Sequence, residues 1–201
     1  MITLYHAPRS RSSRIIWLLE ELDCDYKIEL VDIQRGDGSG KPAPDSYRAI
    51  SPLKKVPAIK VFDEVVYESG AICLYLTDSH QKHAIGPLPG SNNRAEYVRW
   101  LFFYGGAVEP AATARFQGWD KDPAKPTSFG KWEDIEALIS AQLAKSPYML
   151  GNEFSAADVI YGSAVQFFKG NLFPDRPHYN AYLERLSARP AYQRALAKDN
   201  G

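Results

Sequence analysis

The sequence changes character near residue 79. Before that point, short runs that alternate apolar and polar residues, the pattern of strands, are interspersed with helical stripes of apolar residues. Beyond residue 93 we find no convincing strand, and the remaining segments favour helix. A chain with this pattern is predicted to form an α/β unit followed by an all-helical one.

The first 79 residues have the element order β-α-β-α-β-β-α. Strands are expected from Ile2, over 26–33, and over 58–62 and 65–68 around the two-residue turn Asp63-Glu64; helices are expected from Ser10, near 45–50 and over 69–79. Residues 34–46 are rich in Gly and Pro and are predicted to form a mobile loop. This order is that of a thioredoxin-like domain, residues 1–79, with a mixed four-stranded sheet.

Residues 80–90 have the composition of a linker, and residues 91–201 are predicted to form an all-helical domain. Within this domain, Ser155 and Asp158 have the spacing of a capping box at the start of a helix. The helices are expected over 91–117 with a bend at Gly105-Gly106, and over 127–146, 155–169, 177–188 and 190–198.

Composition excludes several classes of protein. A chain of 201 residues with 45% hydrophobic residues can bury a core, and the balance of 24 Lys and Arg against 24 Asp and Glu argues against a nucleic-acid binder. No run approaches the roughly 18 apolar residues of a membrane span, and Met1 is followed by no leader-like segment, so we expect a soluble cytoplasmic protein. Cys24 and Cys73 form no CxxC motif and the histidines have no ligand spacing, so no metal site is predicted.

Positive charge is concentrated at the start of the first predicted helix. Arg9, Arg11 and Arg14 precede the first carboxylate, Glu20. Guanidinium groups beside free amides at a helix N-terminus would suit an anion or a thiolate. A solvated basic surface is the alternative interpretation.

The segment from Pro8 to Leu22 resembles the start of cytosolic glutathione transferases. The resemblance is strongest to bacterial and fungal members with a Ser-Arg pair ahead of an aliphatic-Trp-Leu-Leu helix. Residues 51–57 resemble the family's Asn-Pro-Leu-Gly-Lys-Val-Pro, with Ser51 for Asn and Lys54 for Gly. Similar matches, in the family's order, occur at 68–72, 96–110 and 155–158.

The resemblance implies which residues activate the glutathione thiol. A free thiol titrates near ~8.5, so a thiolate at neutral pH needs a hydrogen-bond donor. Ser10 occupies the place of that donor, although Ser12 and Ser13 are near enough to compete and Ser10 could be an ordinary helix cap. Tyr5 aligns with the catalytic tyrosine of other classes, and Arg11 with an assisting arginine.

The resemblance also implies how glutathione is held. Val56-Pro57 is expected to be a cis peptide that presents its backbone to the cysteinyl moiety. Lys55 is expected to neutralise the glycine carboxylate, Glu68 to receive the γ-glutamyl ammonium, and Ser69 to hold the adjacent carboxylate.

A pocket for the second substrate is expected around Trp100, Phe103 and Tyr104. Aromatic residues at helical spacing would suit apolar substrates, but they can equally belong to the core.

These features together imply a glutathione transferase that conjugates glutathione, its co-substrate, to hydrophobic electrophiles. No cofactor is expected, and the resemblance implies a homodimer. Glutathione-dependent reduction of peroxides or disulfides is an alternative activity of the same thiolate, and a noncatalytic interaction module is a third interpretation.

Overall fold

The computed structural model describes residues 1–36, 38–81, 85–121 and 127–199. Parts of the predicted 34–46 loop and the predicted 80–90 linker therefore lie outside the described residues. The chain forms two compact units, one made of residues 1–84 and 189–201 and the other of residues 85–188. In chain order the α-helices of the described residues are α1 (Ser13–Glu21), α2 (Ser69–Ser79), α3 (Arg94–Phe103), α4 (Glu109–Gln117), α5 (Trp132–Lys145), α6 (Ala156–Phe167), α7 (Pro177–Ser187) and α8 (Pro190–Asp199).

The first unit contains a four-stranded sheet. Its strands are β1 (Ile2–His6), β2 (Tyr26–Leu30), β3 (Ala58–Val61) and β4 (Glu64–Tyr67), in the order β2-β1-β3-β4. β1 runs parallel to β2 and antiparallel to β3, and β3 runs antiparallel to β4. The predicted mixed sheet of a thioredoxin-like domain is confirmed.

The turn between β3 and β4 lies one residue earlier than predicted. Phe62 and Asp63, not Asp63 and Glu64, connect the strands, and Phe62 has a φ of 53°. The apolar character of Phe62 suggested a strand position, but its side chain is 81% exposed. The alternating pattern fits either register, so the sequence alone does not fix where such a turn begins.

α1 buries a continuous apolar face that includes Ile15, Ile16, Leu18 and Leu19. The helix begins three residues after the predicted start at Ser10, because the chain first turns through residues 9–12. The short helix predicted near 45–50 is a 3-10 helix over Asp45–Ala49.

α8 packs along α1 and so groups with the first unit, whereas the sequence placed it in the helical domain 91–201. Two carboxylate groups of α1, each only 7% exposed, form ion pairs with α8 and with the residue before it. Arg189 binds both oxygens of Glu21 at 2.6 and 2.7 Å. Glu20 accepts from Arg194 at 2.7 Å and also from Lys198. Buried carboxylates need such partners, which explains why α8 docks here.

The second unit is helical, as predicted. α3 and α4 are joined by a π-helical turn, Tyr104–Val108, at the position of the predicted bend at Gly105-Gly106. In the described part of residues 85–188 only isolated bridges occur and no strand is present.

The predicted capping box begins α6. Asp158 is fully buried and accepts from Ser155 N at 2.8 Å, Met149 N at 2.8 Å and the Tyr182 hydroxyl at 2.9 Å. Burial raises the pKa of Asp158 to about 6, although these hydrogen bonds act to lower it. The carboxylate therefore joins the start of α6 to α7 and to the preceding turn.

Candidate functional site

Three segments of the first unit meet at one end of the sheet. Ala58, the first residue of β3, pairs with Tyr5 of β1 and with Tyr67 of β4. The turn after β1, the segment before β3 and the start of α2 therefore emerge side by side, because neighbouring strands lie about 4.8 Å apart. The three segments with predicted site residues, 10–12, 55–57 and 68–69, therefore adjoin strand ends at the same end of the sheet.

A pair of hydroxyl groups lies at the start of α1. Ser10 Oγ is 2.7 Å from Ser12 Oγ and accepts a hydrogen bond from Ser12 N at 3.1 Å. Ser10 N donates to Ser13 Oγ at 3.2 Å. Ser10 is half-buried and no acidic residue lies in the first turn of α1, so Ser10 can meet an anion beside the positive end of the helix.

Ser12 is fully buried and organises the turn. Its Oγ also contacts Ala7 N at 3.1 Å, Ala7 O at 3.2 Å and His6 Nδ1 at 2.8 Å. With so many internal partners, this hydroxyl has little capacity left for a ligand. Of the two serines, Ser10 is the better placed for binding.

The imidazole of His6 lies behind the serines and is only 1% exposed. Its Nε2 is 3.3 Å from Asp199 Oδ1, and Asp199 also accepts from Arg9 N at 3.2 Å and from Ser13 Oγ at 2.5 Å. Burial lowers the pKa of His6, while Asp199 acts to raise it. Sequence reasoning missed both residues, because no local pattern joins positions so far apart in the chain.

The aromatic ring of Tyr5 packs rather than standing free. Its centroid lies 5.5 Å from that of Tyr47, in a small apolar cluster with Ala58 and Val56. Burial, together with the charge of Glu29, raises the pKa of Tyr5. These surroundings favour a packing role.

The Val56-Pro57 peptide is cis, as expected. The residue before it is held on both sides: Lys55 N donates to Ser51 Oγ at 3.1 Å, and the Tyr47 hydroxyl donates to Lys55 O at 3.2 Å. The side chain of Lys55 is exposed. Tyr47 and Ser51, which the sequence analysis did not assign to the site, thus fix the backbone that approaches it.

Glu68 and Ser69 form the junction between β4 and α2. Glu68 has a φ of 75°, a region that few residues other than glycine adopt. It is exposed, while Ser69 begins the helix and is half-buried. The first turn of α2 contains no acidic residue, so its first amides are suited to a carboxylate.

The three arginines near α1 differ in exposure. Arg9 and Arg11 are exposed, whereas Arg14 is buried within α1 and acts electrostatically on Cys73. Two guanidinium groups rather than three therefore lie at the surface near this helix start.

Neither cysteine is poised to act as a nucleophile. Burial raises the pKa of Cys73 to about 12, and burial with neighbouring carboxylates raises the pKa of Cys24 to about 11. Both side chains therefore stay protonated at neutral pH.

Two of the three aromatic residues predicted for the pocket lie in the core of the second unit. Trp100 is 1% exposed and Tyr104 3%, while Phe103 is half-buried. The Tyr104 hydroxyl donates to Glu109 Oε2 at 2.5 Å, and the Trp100 ring contacts that of Tyr161 edge-on at 5.4 Å.

An open hollow of about 360 Å³ lies beside the π-helical turn of the second unit. Trp119 and Phe129 supply aromatic surface, and neither was predicted to be a site residue because no local periodicity marks them. The lining residues are Gly105, Glu109, Pro110, Thr113, Ala114, Trp119 and Phe129.

The described ranges contain neither a cluster of metal ligands nor a membrane-spanning helix. There, no three His, Cys, Asp or Glu side chains are grouped so that they could hold a metal ion. None of the helices in these ranges is long and apolar enough to cross a membrane.

Comparison with known proteins agrees with this architecture. Residues 1–78 match the glutathione S-transferase N-terminal domain, and residues 110–185 match the glutathione S-transferase C-terminal domain. Glutathione S-transferase 3 of Schizosaccharomyces pombe is 30% identical over 98% of this chain and 88% of its own length. The chain belongs to the glutathione S-transferase family.

The chain is also similar to a relative that is named for another activity and to a solved glutathione transferase. Disulfide-bond oxidoreductase YfcG of Escherichia coli is 29% identical over 98% of this chain and 95% of its own. The crystal structure of a glutathione transferase from Methylococcus capsulatus matches with a TM-score of 0.77 and 25% identity, covering 100% of this chain and 99% of that one.

Proposed function

We propose that this protein binds glutathione at the end of the sheet, activates its thiol with the Ser10 hydroxyl, and conjugates the thiolate to apolar electrophiles. The observation that carries the proposal is the half-buried Ser10 hydroxyl at the start of α1, which follows β1 at the end of the sheet where β3 begins and β4 ends.

The charges at this end of the sheet complement those of glutathione. The ligand has two carboxylates and one ammonium group. The exposed Lys55 would neutralise the glycine carboxylate, and Glu68 would receive the ammonium group. Ser69 and the first amides of α2 would hold the second carboxylate.

Thiol activation needs a donor near the sulfur and a favourable local potential. Ser10 supplies a hydroxyl, and the α1 N-terminus supplies a partial positive charge without an acidic residue in its first turn. A shift of one pKa unit corresponds to about 1.4 kcal/mol, which one charge-assisted hydrogen bond can provide.

The open hollow beside the π-helical turn is the surface of the second unit that would suit an apolar electrophile, because Trp119 and Phe129 line it. Trp100 and Tyr104 would act indirectly by fixing the helices, since both are buried.

Titration with glutathione and a Ser10→Ala variant test the proposal. Calorimetry should show binding, and Ser10→Ala should lower kcat/KM for an aryl halide by about 10- to 100-fold, as expected for the loss of one hydrogen bond to a charged group. Ser79→Ala, an exposed serine at the end of α2, is the matched control and should keep wild-type activity.

Two results would contradict the proposal. One is the absence of heat and of any shift in melting temperature on adding glutathione, which would favour a noncatalytic interaction module. The other is conjugation that is unchanged in Ser10→Ala; if it is also unchanged in Tyr5→Phe and Arg11→Ala, none of the three predicted residues activates the thiol.

Disulfide reduction is a second candidate, supported by similarity to the Escherichia coli disulfide-bond oxidoreductase. Because Cys24 and Cys73 stay protonated at neutral pH, glutathione would supply both thiols. The bound thiolate would attack a glutathione-linked disulfide, form oxidised glutathione and release the other sulfur as a thiolate.

Parallel assays distinguish these activities. An aryl halide, a hydroperoxide and a glutathione-linked disulfide should be compared at equal enzyme and glutathione concentrations. Reduction by glutathione alone should persist in a Cys24→Ser, Cys73→Ser double variant; loss of reduction there, with the fold intact, would show that a protein thiol takes part.

A further inference from the structure

The buried groups behind Ser10 form a continuous chain of possible proton carriers. Asp199 Oδ1 is 3.3 Å from His6 Nε2, His6 Nδ1 is 2.8 Å from Ser12 Oγ, and Ser12 Oγ is 2.7 Å from Ser10 Oγ. His6 and Ser12 are buried, while Ser10 at the end of the chain is half-buried. This series of groups thus connects the buried imidazole of His6 to the Ser10 hydroxyl, which is expected to face the glutathione sulfur.

We propose that His6 takes up the proton of the bound glutathione thiol through the hydroxyls of Ser10 and Ser12, and that Asp199 balances the charge that His6 then carries. This inference rests on the proposed function of Ser10.

Before the transfer, the relay requires one particular direction of these hydrogen bonds. The relay starts from neutral His6 with its proton on Nε2, the nitrogen 3.3 Å from the Asp199 carboxylate, and with Nδ1 as an acceptor. Ser12 then donates to His6 Nδ1 at 2.8 Å in preference to Ala7 O, which lies farther away at 3.2 Å, and its oxygen accepts from Ala7 N and from the Ser10 hydroxyl. In this state Ser10 points its proton inward and offers a lone pair outward.

A thiol that donates to that lone pair starts a balanced transfer. The S–H bond breaks as Ser10 gains the proton; Ser10 passes its own proton to Ser12, and Ser12 passes its own to His6 Nδ1. Afterwards His6 donates to Ser12, Ser12 donates to Ser10, and Ser10 donates to the sulfur. The single relay therefore creates the thiolate and turns Ser10 into its hydrogen-bond donor, with no net change in the number of protons.

The surroundings of His6 suit a base that is charged only transiently. Burial favours the neutral ring, whereas the Asp199 carboxylate from α8 favours the charged one. On the side of the β1–α1 turn His6 meets the hydroxyl of Ser12, and Arg9 contributes its backbone N–H to Asp199. A thiolate at Ser10 would add a second negative charge, which favours the protonated ring further.

The test compares protons released with thiolate formed when glutathione binds. Thiolate is measured by its ultraviolet absorbance, and proton release by calorimetry in buffers of different ionisation enthalpy. At about pH 7.5, above the ordinary histidine pKa of about 6.5, the wild type should form thiolate with almost no proton release. In His6→Asn each thiolate formed should be matched by about one proton released, and the thiolate fraction should fall several-fold.

His178→Asn is the matched control, because His178 Nε2 also lies 2.9 Å from a serine hydroxyl, that of Ser140 in the second unit. The His178→Asn variant should keep the wild-type ratio of protons released to thiolate formed. Asp199→Asn is a second variant that preserves side-chain shape, and its ratio should rise toward one proton per thiolate.

A wild-type ratio near one, or an unchanged ratio in both His6→Asn and Asp199→Asn, would overturn the relay. Failure of the proposed function itself has a different signature: wild-type protein that binds no glutathione, or Ser10→Ala with an unchanged thiolate fraction.

Discussion

Two serines only two positions apart have different roles because one is buried. Ser12 accepts from Ala7 N inside the turn, whereas Ser10 is half-buried and can face a ligand. We expect Ser12→Ala to lower the free energy of unfolding by about 1–3 kcal/mol, since a buried N–H loses its acceptor. Ser10→Ala should cost less, about 1 kcal/mol, because the hydroxyl that accepts from Ser12 N is only half-buried and water can replace it. Urea denaturation measures both, and equal losses would contradict this division.

Tyr5 gives a second prediction for a single residue. Its ring packs on Tyr47 and its pKa is raised, so the hydroxyl is expected to contribute little to thiol activation. Tyr5→Phe should change kcat/KM by less than about twofold, because the aromatic pair is kept. A loss comparable with that of Ser10→Ala would instead assign the donor role to Tyr5.

The sequence predicts site residues that lie close together along the chain better than those that are far apart. The serines and the Val56-Pro57 peptide belong to short motifs and could be found. His6 could not be paired with Asp199, since only the docking of α8 on α1 brings them together. The burial of Arg14 and Trp100 could not be predicted either, because periodicity identifies a helix face without showing what packs against it.

At the level of elements, the attachment of α8 to α1 should be sensitive to acid. Burial acts to raise the pKa of Glu20, but hydrogen bonds from Lys198, Tyr26 and Arg194 prevail and lower it from 4.5 to about 2. A depressed pKa means that the stabilisation is present above pH 4.5 and is lost as the pH falls toward about 2.

Glu20→Gln should therefore cost about 1–3 kcal/mol at neutral pH and almost nothing near pH ~2. Glu29→Gln is the control: its ion pair with Lys27 is exposed, so a change below about 1 kcal/mol is expected. Denaturant titrations across pH test this, and a difference between wild type and Glu20→Gln that did not vary with pH would contradict it.

The stability contributed by the capping box of α6 changes with pH in the opposite direction. The pKa of Asp158 is raised from 3.8 to about 6, so its favourable contribution is complete below pH 3.8 and is lost as the pH rises through about 6. Relative to Asp158→Asn, which does not titrate, wild-type stability should fall between about pH 4 and 6 and then level off. A flat difference over this range, measured by denaturation, would refute the assignment.

Elements with strong local signals were predicted well. α2 spans 69–79 as expected, and the Ser155 cap marks α6. The β3–β4 turn was wrong by one residue because alternation does not define where a turn starts. The position of α8 depended on ion pairs with α1, which no helical pattern contains.

For the whole molecule, the homodimer stays a prediction from family resemblance. Phe62 and Leu53 leave large apolar side chains exposed on the first unit, at 81% and 74%. Sedimentation velocity at micromolar concentration should give about twice the chain mass of 22.5 kDa. A single species of monomer mass over that range would argue against the dimer.

The fluorescence of Trp17 can report whether α8 is packed on α1. Trp17 is buried in α1, donates to Glu21 at 2.8 Å, and meets the ring of Tyr192 from α8 edge-on at 4.9 Å. Indole emission moves to longer wavelength when water reaches the ring. A spectral shift from Trp17 would therefore register detachment of α8, and with it the loss of Asp199 from His6, while the rest of the chain stays folded.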